Sequence, residues 1–452
     1  MKRLSYLLIS VFICALAWGL VVHRLDSKSI WLDESFTYYQ SLRLPNDAIN
    51  FMSQFGNMWL YFGVSRLATA VNDVSPFVFR LPAALFAVIA VAAAIRLGAR
   101  IADRRAGLAA GLLLAVNPFF VEYGQEARSY TMWIALALIA TLALLQSDGF
   151  KRRRWAAVYV IAAVGMMYAH LLTPAILIAH ALWGVFRYRT QIIGRSIAVG
   201  AAFGVGVAPM LYFSRTWIEG DSFNWMPPFD LFQLEWMLRE EWGGGTFYLV
   251  GLLAAGALWA VWKQPRGAWT LLALIIVSAI LVPIIGDFFV SRYAIIALPA
   301  LIIWGAWGMT RARWTLVGVA AAIMLSLGGV VQWYDKLPRQ DWRTLARTVL
   351  VQSQPNDAVM FLPFYLDTPY RYEAHSYAAR AQTPPALPIE IETYTASYTP
   401  PVSNFARVWL ILDHDPNGDS SPPPDLASYT HVETWIFEGE YPAKELRLYQ
   451  RQ

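Results

Sequence analysis

The sequence predicts a polytopic α-helical membrane protein of about eleven transmembrane helices, followed by a C-terminal extracytoplasmic α/β domain. Three observations point there. Of 452 residues, 57% are hydrophobic and 15% charged, whereas a soluble domain averages about 25% charged residues. Apolar stretches recur along the first three quarters of the chain. From about residue 332 the composition changes to that of a water-soluble domain.

The apolar stretches run over 4–22, 78–98, 106–121, 129–146, 155–170, 172–186, 194–213, 246–262, 268–285, 294–309 and 314–331. A helix rises about 1.5 Å per residue against a hydrocarbon core of about 30 Å, so the longer ones span it and the shorter ones fall near the limit. Twenty Trp, 22 Tyr and 24 Phe suit the two interfaces, where amphipathic rings collect. The first stretch, after Lys2-Arg3 and with Ala15-Leu16-Ala17 inside it, also resembles a signal peptide. Its length exceeds an ordinary signal core, and its removal would spoil the charge alternation described next.

Positive residues are retained in the cytoplasm. With the N-terminus inside, one set of connecting loops holds sixteen Lys and Arg, among them Arg100, Arg104, Arg105, the run Lys151 to Arg154, Arg266 and Arg313, opposed by Asp103 and Asp148. The alternate set holds nine basic and fourteen acidic residues. The reading is therefore an inner-membrane protein with a cytoplasmic N-terminus and an extracytoplasmic C-terminal domain. The net charge of +5 thus belongs to membrane topology, and no nucleic acid is expected as a partner. Cys14 is the only cysteine, which rules out an intrachain disulfide. Two outer loops, 23–77 and 214–245, mix aromatics with charges and suit amphipathic helices on the bilayer surface.

The expected domains are a transmembrane module over 1–332 and a soluble domain over 333–452. In the latter, Asp341 is placed to cap a helix at 341–351, with strands at 358–362, 407–412, 431–437 and 445–449.

Four outer features carry possible chemistry. Asp33 and Glu34, in Trp31-Leu32-Asp33-Glu34, follow the first span, and carboxylates beside lipid are costly to desolvate, which suits a general base. Adjacent side chains diverge on a helix, so at most one reaches a reacting atom. A surface Asp-Glu pair is more often merely solvated. Glu126 and Arg128 lie in a short turn at the level of lipid phosphates, where an Arg makes charge-assisted bonds to phosphate or simply snorkels. His170 ends one span, and Arg292-Tyr293 begin another. Each has an ordinary interfacial explanation, but all four share one face, and ionisable groups at membrane depth usually mark a site. Walker A, GxGxxG, HExxH and CxxC motifs are absent, so nucleotide hydrolysis, dinucleotide redox and zinc protease chemistry have no support.

WLDE at 31–34, FRLPAALF at 79–86, NPFFVEYGQEARSY at 117–130, MYAH at 167–170, SRYAIIALP at 291–299 and QDWRTLA at 340–346 resemble the GT-C glycosyltransferases. The resemblance is to the family 39 group, which includes protein O-mannosyltransferases and lipid A aminoarabinose transferases, and it covers about residues 1–350. It implies transfer of one sugar, mannose or similar, from a polyprenyl-phosphate donor in the bilayer to a protein, lipid or glycan acceptor at the outer face, with inversion. It puts the base at Asp33 with Glu34 assisting, and makes Arg128 and Arg292 candidates for the donor phosphate. Many relatives carry a His-Pro-Pro-Leu or Glu-Lys-Pro type segment, at which some members bind a metal, where this chain reads Gly56-Asn57-Met58-Trp59. No metal or other cofactor is therefore expected, although Asn57 can contact a sugar or phosphate. The rival reading is a transporter or lipid flippase, which usually places its polar groups at the bilayer midplane on broken helices.

Overall fold

The computed structural model describes residues 2–43, 57–219, 226–264, 269–312, 315–381, 387–391, 402–414, 426–440 and 443–452. Residues 44–56 and 220–225 of the two long loops, and most of the Asp- and Pro-rich loop after 413, lie outside these. The chain forms two compact units. One comprises Met1–His23, Arg43–Val64 and Arg80–Tyr334; the other comprises Arg24–Leu42, Ser65–Phe79 and Asp335–Gln452. The second unit thus takes in, beside the C-terminal domain, two segments of the first outer loop, which a simple division near residue 332 does not anticipate.

Helical segments underlie each of the eleven apolar stretches wherever their residues are described. Among the described residues, six are long and apolar enough to cross a membrane: Arg3–Val22, Pro76–Ile101, Tyr130–Ser147, Ile193–Arg215, Ser291–Met309 and Leu316–Asp335. The stretch expected at 106–121 is a pair, Arg104–Ala115 and Pro118–Gly124, bent by 63°. Asn117 makes the break, since its side chain accepts from the Phe120 amide and Pro118 follows at the first position of the next helix. The remaining four, Arg153–Ala169, Thr173–Tyr188, Tyr248–Lys263 and Trp269–Ile285, have 16 or 17 residues. At about 1.5 Å per residue they reach about 24–26 Å, which requires local thinning or help from flanking residues to span.

Small residues set the closest helix crossing. Gly256 of Tyr248–Lys263 faces Gly305 and Gly308 of Leu298–Met309, and a Cβ on Gly308 would stand 1.6 Å from the Gly256 carbonyl oxygen. Without a hydrophobic drive between helices in lipid, such backbone approach is what packing offers. Asp103 caps Arg104–Ala115 through the Arg105 and Ala106 amides and pairs with Arg311 at 3.0 Å, so two of the basic loops meet at one end of the bundle.

The second unit holds a five-stranded sheet of order β2-β1-β3-β5-β4: β1 Asp357–Leu362, β2 Ile389–Ile391, β3 Arg407–Asp413, β4 Tyr429–Phe437 and β5 Lys444–Arg451. β1 pairs parallel with β2 and β3, and β5 pairs antiparallel with β3 and β4. Alternation along β1 sends Val359 and Phe361 to one face and Ala358 and Met360 to the other. The first face packs under helices Trp342–Gln352 and Asp367–Arg380 through Trp342, Leu345, Val349, Tyr370, Trp409 and Leu448. The opposite face meets Val402, Leu426 and Tyr429. Asp341 caps its helix by accepting from the Thr344 amide. The helix Asp367–Arg380 and β2 were not expected from sequence. That helix carries three Tyr among charged and small residues and has no clean apolar stripe, and β2 is three residues long.

Candidate active site

In the first unit, Gln125, Glu126 and Arg128 occupy the turn between Pro118–Gly124 and Tyr130–Ser147. Gln125 pins this turn: its amide nitrogen donates to the carbonyls of Val21 at 3.2 Å and His23 at 2.7 Å, and its oxygen accepts from Trp333 Nε1 at 2.8 Å. Glu126 is buried and Arg128 half-buried.

His170 leaves the end of Arg153–Ala169 and is buried. Its ring stacks on Trp133 at 4.0 Å between centroids and 11° between planes, with Tyr293 edge-on at 4.9 Å and Tyr130 tilted at 5.7 Å. The Leu172 amide donates to His170 Nδ1 at 3.2 Å, which selects the neutral tautomer protonated at Nε2. Trp133 is held by its own bond to Thr173 Oγ1 at 3.0 Å. Arg292 lies over the Tyr293 ring at 5.9 Å, and Arg128 stands two residues before Tyr130, so both guanidinium groups flank rings that touch this imidazole. The structure therefore brings Arg128, His170, Arg292 and Tyr293 together from three separate stretches of sequence. Two fixed cations, a neutral Nε2 donor and tyrosine rings are what an anionic group at the edge of lipid requires.

Asn57 precedes the helix Trp59–Val71. Trp59 packs on Tyr168 at 5.9 Å, two residues from His170, which brings that segment alongside the cluster without a direct link from Asn57. Among the described residues, no group of three or more His, Cys, Asp or Glu side chains gathers as a metal site.

In the second unit, Asp33 and Glu34 stand in the first turn of the helix Leu32–Arg43, where the exposed amides favour negative charge. Their side chains diverge as adjacent helical positions require: Glu34 is fully buried and Asp33 half-buried. The entry to this helix is held by residues of the α/β domain. Ile30 N donates to Glu373 Oε1 at 3.0 Å and Leu32 N to Gln340 Oε1 at 3.3 Å, while Arg343 donates to the carbonyls of Asp26, Ser27 and Lys28.

Several of these residues were missed in the sequence. Gln125 and Gln340 lie inside quoted motifs, but nothing in their spacing says what they bond. Glu241, which accepts from Ser291 Oγ at 2.6 Å beside Arg292, sits in a charged loop with no pattern of its own. Glu373 belongs to the unanticipated helix.

Residues 59–214 match the dolichyl-phosphate-mannose-protein mannosyltransferase family. The crystal structure of ArnT from Cupriavidus metallidurans superposes with a TM-score of 0.65 at 13% identity, covering 99% of this chain and 98% of that one. Its complex with undecaprenyl phosphate gives 0.66 at 14% identity with the same coverage. Archaeal oligosaccharyltransferase AglB from Archaeoglobus fulgidus, in complex with an inhibitory peptide and a dolichol-phosphate, gives 0.59 at 11% identity over 91% of this chain and 70% of that one. No curated protein sequence matches the chain.

The chain shares the fold of ArnT and AglB. Within that fold, His170, Arg292 and the turn of Arg128 all lie where a helix begins or stops.

Proposed function

We propose that the protein transfers a single sugar from a polyprenyl-phosphate donor to a protein, lipid or glycan acceptor at the outer membrane face, inverting the anomeric centre. The observation that carries this is the gathering of Arg128, the buried His170 and Arg292 at neighbouring helix ends, with His170 edge-on to Tyr293 at 4.9 Å and Arg292 over the same Tyr293 ring at 5.9 Å; Arg128 and His170 lie in the part of the chain that matches the mannosyltransferase family. The solved complex of ArnT with undecaprenyl phosphate supports a lipid phosphate as the donor's leaving group.

In this mechanism Asp33 takes the proton of the acceptor hydroxyl as its oxygen forms a bond to the anomeric carbon. The bond from that carbon to the phosphate oxygen breaks on the opposite face, and its electron pair leaves with the polyprenyl phosphate. Arg128 and Arg292 hold the charge that develops there, an electrostatic contribution worth more in a water-poor site than in bulk. Glu34, Glu126, Tyr293 and Asn57 support the carboxylate, the cations and the sugar. The donor is already activated, so no nucleotide or redox cofactor enters the scheme.

The test is transfer by purified protein in nanodiscs supplied with polyprenyl-phosphate sugars, beside mass spectrometry of envelope glycans and glycolipids from cells with and without the gene. A sugar missing from one acceptor class in the deletion identifies both substrate and product. Unchanged glycans together with no transfer from any such donor would overturn the proposal.

A further inference from the structure

We propose that Gln340, Arg343 and Glu373 of the α/β domain form a clamp that positions the carboxylate of Asp33, which gives this domain a direct part in setting the rate. The inference rests on the reading of Asp33 as the base.

Residues 26–31 have no helix or strand of their own, so their backbone donors and acceptors need partners from elsewhere. They find them some 310 residues further along the chain. Glu373 takes the Ile30 amide with one carboxylate oxygen and faces Arg343 Nε with the other at 3.6 Å. Arg343 spreads its guanidinium over three successive carbonyls, Asp26, Ser27 and Lys28. Gln340 accepts from the Leu32 amide and from Trp342 Nε1 at 2.8 Å, and its own carbonyl accepts from Ser29 Oγ. Arg339 lies over the Trp31 ring at 4.5 Å.

Leu32 is the first residue of the helix that carries Asp33, and its amide is one of the donors a helix leaves unpaired at its start. Gln340 therefore does the work of a capping residue from a remote part of the sequence, and Ile30 is fixed two residues earlier by Glu373. Together the two acceptors set where the helix begins and hence where the Asp33 carboxylate stands. Displacement of a reacting group by about 1 Å is enough to lower a rate by about 100-fold.

The experiment uses the full-length protein in nanodiscs. Glu373→Ala and Gln340→Ala remove the acceptors; Glu373→Gln and Gln340→Glu keep an oxygen in place. Hydrogen exchange over residues 26–33, kcat, donor KM and the thermal midpoint are measured for each, with Asp33→Asn alongside. The alanine variants should exchange faster at Ile30 and Leu32 and lose kcat by about tenfold or more, with donor KM within about twofold of wild type. The conservative variants should recover most of the rate at a similar thermal midpoint. Unchanged exchange at these amides, or wild-type kcat despite faster exchange, would overturn the clamp. Full activity of Asp33→Asn would instead overturn the base assignment, and the exchange data would still show whether the clamp holds the loop.

Discussion

Arg128 and Arg292 stand at separate helix ends beside the rings that enclose His170, so each should matter for donor affinity more than for the chemical step. Arg128→Ala and Arg292→Ala should each weaken donor binding by about 1.5–3 kcal/mol, the worth of a charge-assisted contact to phosphate. Titration of labelled polyprenyl phosphate into nanodiscs reads this directly, and unchanged affinity in both variants would remove the phosphate-binding role. Asp33 should behave in the opposite way. Asp33→Asn preserves size and most hydrogen bonding while removing basicity, so turnover should fall by about 100-fold or more with donor binding largely kept. If Glu34→Gln is inactive while Asp33→Asn is not, the base is the neighbouring carboxylate. The burial of Glu34 favours Asp33, because the half-buried member of the pair is the one a substrate can reach.

At the scale of elements, the glycine crossing and the sheet each make a sharp claim. Gly308→Val places a side chain where the Gly256 carbonyl stands, and the two helices must separate. The thermal midpoint of purified protein should fall, with a cost of about 1–3 kcal/mol for overpacking. A midpoint equal to wild type would mean that the helices do not cross there. In the sheet, Arg407 grips Asp357 through two bonds at 3.0 and 2.6 Å, and Trp409 Nε1 donates to the same carboxylate at 2.9 Å. Burial pushes the Asp357 carboxyl up, but the bonds from Arg407, the Gln354 amide and Trp409 outweigh it and leave its proton affinity below the ordinary carboxylate range. A depressed carboxylate contributes stability above its unfolded value of about 4, and that contribution is lost as pH falls through the lower folded value. Unfolding followed between pH 6 and pH 2 should show this acid loss. Asp357→Asn should lower stability at neutral pH and flatten the acid limb; an unchanged acid limb would discount the pair.

For the whole molecule, the basic loops predict sidedness. Reporter fusions after Arg154, Arg266 and Arg313 should read as cytoplasmic, and a fusion at Gln452 as extracytoplasmic. A cytoplasmic C-terminus would require an even number of spans and would move the α/β domain away from the outer face. The four apolar helices of 16 or 17 residues are where the number of spans would change.

Helix positions, the main strands and the short motifs were legible in the sequence because each is a local property. Hydropathy over twenty residues, a capping Asp341 before a periodic run and alternation along β1 need no knowledge of distant chain. Asp33, Arg128, His170 and Arg292 could be named as ionisable groups near the ends of apolar runs for the same reason. What they touch could not. The stacking of His170 between Trp133 and Tyr293, the pinning of the 125–129 turn by Trp333, and the hold of Gln340 and Glu373 on residues 30 and 32 join positions 37 to more than 300 residues apart. Sequence determined which segments would leave water and which side chains would be costly to bury. Tertiary structure decided the partners that make that burial tolerable, since a hydrogen bond between distant residues depends on packing and leaves no periodic trace in either strand of sequence that forms it.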